Sequence, residues 1–256
     1  MSDPEAPPVV GVVGAVPGSA ADAAVAAARL GAGVALVGTA ADPHAVGELA
    51  AEGVDVTHVT TADHLDADPV RAALEGIAGL GGVLVGTDVS AAVVAAAVGT
   101  AAGRRVHCVL DPDPVIPTVL GLLDLGAVLT PDAAELAEIV RQGAGSEAAG
   151  RPPAEAAATL HSWSGAPVVV TLGADGVLLA DDGRVRRLPA HPVGVVDPAG
   201  AKSALLGTLA VLLAGGEDLE DALGVAVVAA GLAAAASGAR DGLPTGEALQ
   251  TALDGG

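Results

Sequence analysis

Phenylalanine and tyrosine are absent from this chain, and tryptophan, cysteine, methionine and lysine occur once each. Without Phe or Tyr no ligand ring can be held by stacking on those side chains, so the core must be filled with small aliphatic groups and close backbone contacts. The single cysteine, Cys108, cannot form an internal disulfide, which removes paired-thiol redox chemistry and fits a cytoplasmic setting. Basic residues are also scarce. Lys and Arg total 11 against 31 Asp and Glu, a formal charge of −20. Such a surface repels phosphate backbones and anionic lipid heads, so neither nucleic acid nor membrane is expected as a partner.

Other absences narrow the chemistry further. The opening MSDPEAPP is acidic and has no basic segment ahead of an apolar stretch, so no secretory leader is expected there. The long charge-free stretch Ala222 to Gly238 falls short of the roughly 20 apolar residues of a membrane span and reads as a buried helix. His44, His58, His64, His107, His161 and His191 show no paired ligand spacing, and with one cysteine a zinc site would need a scattered set. No Gly-x-Ser-x-Gly elbow starts a hydrolase triad.

What is present is a hydrophobic share of 52% built from Ala, Val and Leu, with a mean hydropathy of +0.59. At 256 residues the chain is long enough for one large α/β domain, and a single domain over 1–256 is expected. Short Val/Leu runs alternate with Ala-rich stretches, the pattern of a parallel sheet with crossover helices. Strands are predicted at Val9–Val13, Val34–Val37, Val83–Val85, Val106–Leu110, Ala127–Leu129 and Val168–Thr171, mostly continuous apolar runs suited to burial on both faces. Helices are predicted at Ser19–Leu30 with Ser19 as N-cap, at Val89–Ala102 and at Pro131–Arg141. Val177–Ala180 and Val185–Leu188 flank Asp181-Asp182-Gly183 as a hairpin, with Val193–Val196 continuing an antiparallel edge. Two apolar helices follow, Ser203–Leu213 and Leu219–Ala236, the second capped by Asp218, and Gln142–Pro153 reads as a loop.

Three segments carry candidate chemistry. The turn Asp197-Pro198-Ala199-Gly200-Ala201-Lys202-Ser203 leads into an apolar helix, so its amides and the helix dipole suit an anion; a glycine kept for steric reasons is the plainer alternative. It is not a Walker A loop, because Ala201 separates Gly200 from Lys202-Ser203. Lys202 places a cation at a helix N-terminus, which a bound phosphate would relieve and a solvent-directed side chain would tolerate. Thr171-Leu172-Gly173-Ala174-Asp175-Gly176 ends a buried strand in glycines, suiting either a ligand or a tight turn. Asp132 and Glu135 lie one helical turn apart at a strand end, where carboxylates can order a Mg²⁺ shell through water or simply form a helix cap.

Taken in order, these segments resemble the ribokinase-like (PfkB) carbohydrate kinases from Ala20 to about Leu249. Ala24–Ala32 with Val34-Ala35-Leu36-Val37-Gly38 is similar to that family's first crossover helix and second strand, and Ala51–Asp55 to the segment after its next helix. Leu129-Thr130-Pro131-Asp132 with Glu135 resembles its Asn-x-x-Glu region, Val170–Gly176 its nucleotide-site strand, and Ala239–Thr245 a common ending. The resemblance implies a three-layer α/β/α core with a mostly parallel sheet, nucleotide or phosphate held by Gly200, Ala201, Lys202, Thr171, Gly173 and Gly176, and Mg-ATP as cofactor. Asp132 and Glu135 then act indirectly on the metal, and Gly18 and Asp22 fall at the substrate end.

Against the hallmark Asp-Thr-Thr/Pro-Gly-Ala-Gly-Asp-Ala-Phe, the second Gly is replaced by Lys202 and the catalytic Asp by Ser203. A serine hydroxyl is not ionised at neutral pH and cannot act as the carboxylate base, a role worth about 10²–10⁴ in rate. Pro17-Gly18 stands at the Gly-Gly position, Asp22 at the Asn position, and Thr60–Asp68 leaves no room for the strands of a substrate lid. The expectation is a homologue with a damaged catalytic motif, binding nucleotide in a regulatory or protein-interaction role and without support for a sugar substrate. The alternative is a weakly active ATP-dependent kinase of a sugar, nucleoside or other small alcohol, with Asp22 or Asp197 recruited as base.

Overall fold

The computed structural model describes residues 6–62, 64–145 and 150–255. In chain order the elements are β1 (Val9–Val16), α1 (Ser19–Arg29), β2 (Gly33–Ala40), α2 (Pro43–Ala51), β3 (Asp55–Thr60), α3 (Ala67–Gly76), β4 (Leu80–Gly86), α4 (Ala91–Arg104) and β5 (His107–Asp111). Then come α5 (Val119–Leu122), β6 (Val128–Leu129), α6 (Ala133–Ala144), α7 (Pro153–Ser164), β7 (Val168–Thr171), β8 (Val177–Asp181), β9 (Arg184–Leu188), α8 (Ala201–Ala214), α9 (Leu219–Ala234) and α10 (Gly246–Asp254). The strands form one nine-stranded sheet in the order β3-β2-β1-β4-β5-β6-β7-β8-β9. Pairings are parallel from β3 through β7 and antiparallel at β7–β8 and β8–β9.

Continuous apolar runs arise because both faces of the sheet are covered. Leu84 and Val169 pack with α1, α8 and α9 on one face. Their neighbours Val83, Val85, Val168 and Val170 pack with α3, α4, α6 and α7 on the other. With no large aromatic to fill gaps, the helices sit close. At Gly207 of α8 a side chain would meet Ala23 O of α1 at 2.5 Å and Ala26 Cβ at 2.7 Å. The small-residue composition is therefore what lets α1 and α8 approach.

Four local expectations change. Ser19 is the first helical residue of α1 rather than its cap, which is Gly18, and the Ser19 hydroxyl donates instead to Asp111 Oδ2 at 2.7 Å. Val193–Val196 is not a strand; Pro192 precedes it and Gly194 interrupts it, and the Val196 amide bonds Ala234 O at 2.8 Å, tying the segment to the end of α9. Asp55–Thr60 is an edge strand that apolar periodicity misses, because most of it is exposed and polar. The loop expected over Gln142–Pro153 shortens, since α6 runs to Ala144 and α7 starts at Pro153, and its residues 146–149 lie outside the described residues.

Among the described residues, no strand lies between β1 and α1, which are joined through Pro17 and Gly18, or between β3 and α3. No helix among them is long and apolar enough to cross a membrane.

Candidate functional site

Chain direction across the sheet reverses between β1 and β4, and in an open parallel sheet such a switch point leaves a crevice beyond the carboxyl ends of the strands. Asp88 follows β4, Asp111 ends β5, Asp132 follows β6 and Thr171 ends β7, so all four are delivered to this edge. Asp88 Oδ1 accepts the Ala15 N–H at 3.1 Å. Its carboxylate is packed among glycines: a side chain on Gly14 or Gly86 would approach Oδ1 within 3.2 and 3.0 Å, and one on Gly18 would collide with Oδ2. A side chain at 18 would also press on the Ala15 carbonyl at 2.8 Å, so both Asp88 and the backbone favour glycine there. Burial pushes the Asp88 carboxyl above its ordinary range, Asp111 and Asp113 add to this, and the Ala15 amide opposes it.

Lys202, in the first turn of α8, turns neither to solvent nor to an open anion site. Its ammonium lies 2.7 Å from Asp111 Oδ1 and donates to Glu135 Oε1 and Oε2 at 3.0 and 2.9 Å. The Asp111 contact is a close charge pair rather than a well-directed hydrogen bond. Burial disfavours the charged amine, yet Asp111 and Glu135 outweigh it and hold Lys202 above its ordinary pKa. For Asp111, burial raises the carboxyl against the pull of Lys202 and Ser19; Glu135 is likewise raised chiefly by burial.

Asp132 and Glu135 close a capping box on α6. Asp132 Oδ1 accepts the Ala134 and Glu135 amides, both at 2.8 Å, and Glu135 Oε2 accepts the Asp132 amide at 2.7 Å. These carboxylates are committed to the helix end and to Lys202. Among the described residues, no group of three or more His, Cys, Asp or Glu side chains is arranged to hold a metal ion. Direct Mg²⁺ ligation by this pair thus has no geometric support, whereas the water-mediated shell suggested by the sequence requires no such cluster.

Beside this cluster opens a cleft of about 720 Å³, lined by Asp132, Thr171, Gly173, Gly176, Ala201 and Lys202 together with His191, Val193, Val195, Leu205, Val227 and Gly231. Six positions singled out in the sequence therefore share one cavity. Their roles differ in detail. Gly173 has a positive φ of 59° with open space around it, whereas Gly176, at φ 86°, is pressed by its own chain: a side chain there would collide with Leu188 O. Gly200 is buried, closed off by the Ala239 backbone where a Cβ would stand.

Ser203 is 5% exposed, and its hydroxyl makes only a long contact of 3.4 Å to Ser19 O. Asp197 accepts the amides of Ala199 at 3.0 Å and Gly238 at 3.1 Å, which fixes the turn before α8. Asp22 lies in a separate cluster, where Oδ1 accepts Arg240 Nε and Nη2 at 2.9 and 2.8 Å. Cys108 is inert by burial, its thiol pushed up to about 12.

Four residues belong to this region without standing out in the sequence as functional: Ser19, Asp88, Asp111 and His191. An Asp at or just after a buried parallel strand was a usable signal for Asp88 and Asp111. Nothing local marks Ser19 or His191, which reach the site only through packing.

The sequence pattern described as pfkB family carbohydrate kinase matches residues 69–246. Among curated proteins, the bifunctional protein HldE of Azorhizobium caulinodans is 34% identical over 279 aligned positions, covering 92% of this chain but only 57% of that protein. Bacillus subtilis ribokinase is 28% identical, covering 92% of this chain and 87% of its own length. Among solved structures, a putative ribokinase II from E. coli, in complex with ATP and Mg²⁺, superimposes with a TM-score of 0.77 at 17% identity, covering 98% of this chain and 100% of that one. That likeness establishes a ribokinase-like fold, the architecture expected from the order of segments.

Proposed function

Starting from the fact that the chain belongs to the pfkB family of carbohydrate kinases, we propose that it is a nucleotide-binding member that does not phosphorylate a sugar. One observation carries this reading: at the position the family resemblance assigns to the catalytic base stands Ser203, buried and directed at a backbone carbonyl. Phosphoryl transfer needs a group that accepts the proton of the attacking hydroxyl, or at least orients that hydroxyl towards the phosphoryl group. Ser203 has neither the charge nor the exposure for this. Lys202 adds a second obstacle, because its ammonium is held by Asp111 and Glu135 in the turn that would have to wrap a transferring phosphoryl group.

The cleft supports retention of binding. Its walls are mostly aliphatic, with His191 as the one aromatic ring in the lining, so a purine would be gripped by Val193, Leu205 and Val227 rather than stacked between Phe or Tyr. Ala201 at the start of α8 and Gly173 after β7 also line the cleft, and backbone amides at a helix start suit a phosphate. Nucleotide held here without transfer suits a regulatory or interaction role.

A weak kinase has one feature in its favour. Asp88 is a carboxylate of raised proton affinity in the crevice between β1 and β4, and is better placed for base work than Asp22 or Asp197, which are bound to Arg240 and to backbone amides. Titration calorimetry with ATP and ADP, followed by ADP-release assays against sugars and nucleosides, separates these readings. Binding without acceptor-dependent ADP release is expected. Release that disappears in Asp88→Asn establishes the weak kinase instead, and absence of any nucleotide binding removes both.

A further inference from the structure

The Lys202 cluster has more order than a chance ion pair. Asp111 arrives from the end of β5 and Glu135 from the first turn of α6, and the ammonium bridges them with contacts of 2.7 to 3.0 Å. The side chains of Asp111 and Glu135 are 1% and 13% exposed, and that of Lys202 is 22% exposed. Two carboxylates buried this deeply repel each other unless a cation lies between them. Each has a further anchor: the Ser19 hydroxyl donates to the other oxygen of Asp111, and the Asp132 amide donates to Glu135 Oε2, which it shares with the ammonium. Two carboxylates from separate elements thus converge on one point, and that point is taken by a cation covalently attached to α8. The same side chain forms part of the cleft wall.

We propose that Lys202 is a tethered cation occupying the place between Asp111 and Glu135 that a divalent ion would need, so that nucleotide in the adjoining cleft is bound without divalent metal. This rests on the nucleotide-binding reading above. An ammonium and a divalent ion cannot share so small a space, because their repulsion adds to the cost of withdrawing the carboxylates from the lysine. The attached charge suffers no loss on dilution or chelation. Lysine at 202 in place of glycine thus changes the requirement for metal as well as the shape of the turn.

Calorimetric titration of the full chain with ADP, once in excess Mg²⁺ and once in EDTA, decides the matter on wild-type protein alone. The two dissociation constants should agree within about twofold. In Lys202→Met, and in Lys202→Gln should the first variant fold poorly, ADP affinity should become metal-dependent by about tenfold or more. Mn²⁺, followed by its electron paramagnetic resonance, should bind the variant apoprotein and not the wild type. A wild-type affinity that falls tenfold in EDTA, or Mn²⁺ binding equal in wild type and variant, overturns the tethered-cation assignment while leaving nucleotide binding intact. No ADP binding in either buffer overturns the functional reading and this inference with it.

Discussion

The Lys202 cluster and the Arg240 cluster both join α1 to distant parts of the chain, yet one is kept from water and the other is not. Around Lys202, Asp111 is almost fully buried and Ser19 at the start of α1 supplies a hydroxyl to it. Around Arg240, the guanidinium bonds Asp22 in the first turn of α1 and approaches Glu48 of α2 at 3.4 Å, with side chains 22% to 53% exposed. Arg29 extends that cluster, pairing with Glu52 at 2.7 Å and donating to the carbonyls of Arg240 and Leu243. The first arrangement is intolerant of losing a member because the remaining charge has no solvent to turn to. The second has water as a substitute partner. Burial, more than the number of ion pairs, decides what each cluster contributes.

The largest test of this difference is Lys202→Met. It leaves Asp111 buried beside Glu135 with no counter-ion, and such an orphaned charge costs about 3–5 kcal/mol, read as a drop in the urea midpoint. A loss below about 1 kcal/mol would mean that the buried cluster behaves like a surface one. Arg240→Ala should cost only about 1 kcal/mol or less, with the loss shrinking in high salt. A penalty as large as that of Lys202→Met would erase the contrast.

The smallest effect concerns Asp88, which is half-buried among glycines and, among the described residues, makes no ion pair. Its native pKa is raised from the ordinary 3.8, chiefly by burial, so the folded protein holds this proton more tightly than the unfolded chain. The stabilising proton is present at low pH and lost as pH climbs through the native pKa, so the wild type loses stability over that window. Asp88→Asn lacks the titration and should show a flatter profile there. Urea midpoints measured as a pH series check this, and parallel profiles would show that the crevice solvates Asp88 fully.

Legibility followed burial as well. The central strands were readable because residues buried on both faces must be apolar along their whole length, as in Val168–Thr171. The exposed edge strand Asp55–Thr60 carried no such pattern. Val193–Val196 carried it falsely: a row of valines interrupted by Gly194 lines a cleft rather than a sheet. At the site, Lys202 and Ser203 stood out by their place in a recognisable motif. Glu135 stood out too, as a carboxylate suited to a metal, but its pairing with Lys202 did not and Asp111 went unmarked, because they lie 67 and 91 residues away in the chain from Lys202 and neither spacing has a local signature.

From the sequence by itself follow the α/β class, the order of the buried strands, the resemblance to the pfkB family and the serine and lysine in its hallmark turn. These are carried by apolar periodicity and residue identity, both of which are local. Only the tertiary structure decided where the Lys202 ammonium goes, that Glu135 answers it rather than standing free for a metal, and that Asp22 belongs to Arg240. A long flexible side chain takes the partner that packing brings within reach, and that choice is made among elements the chain order keeps apart.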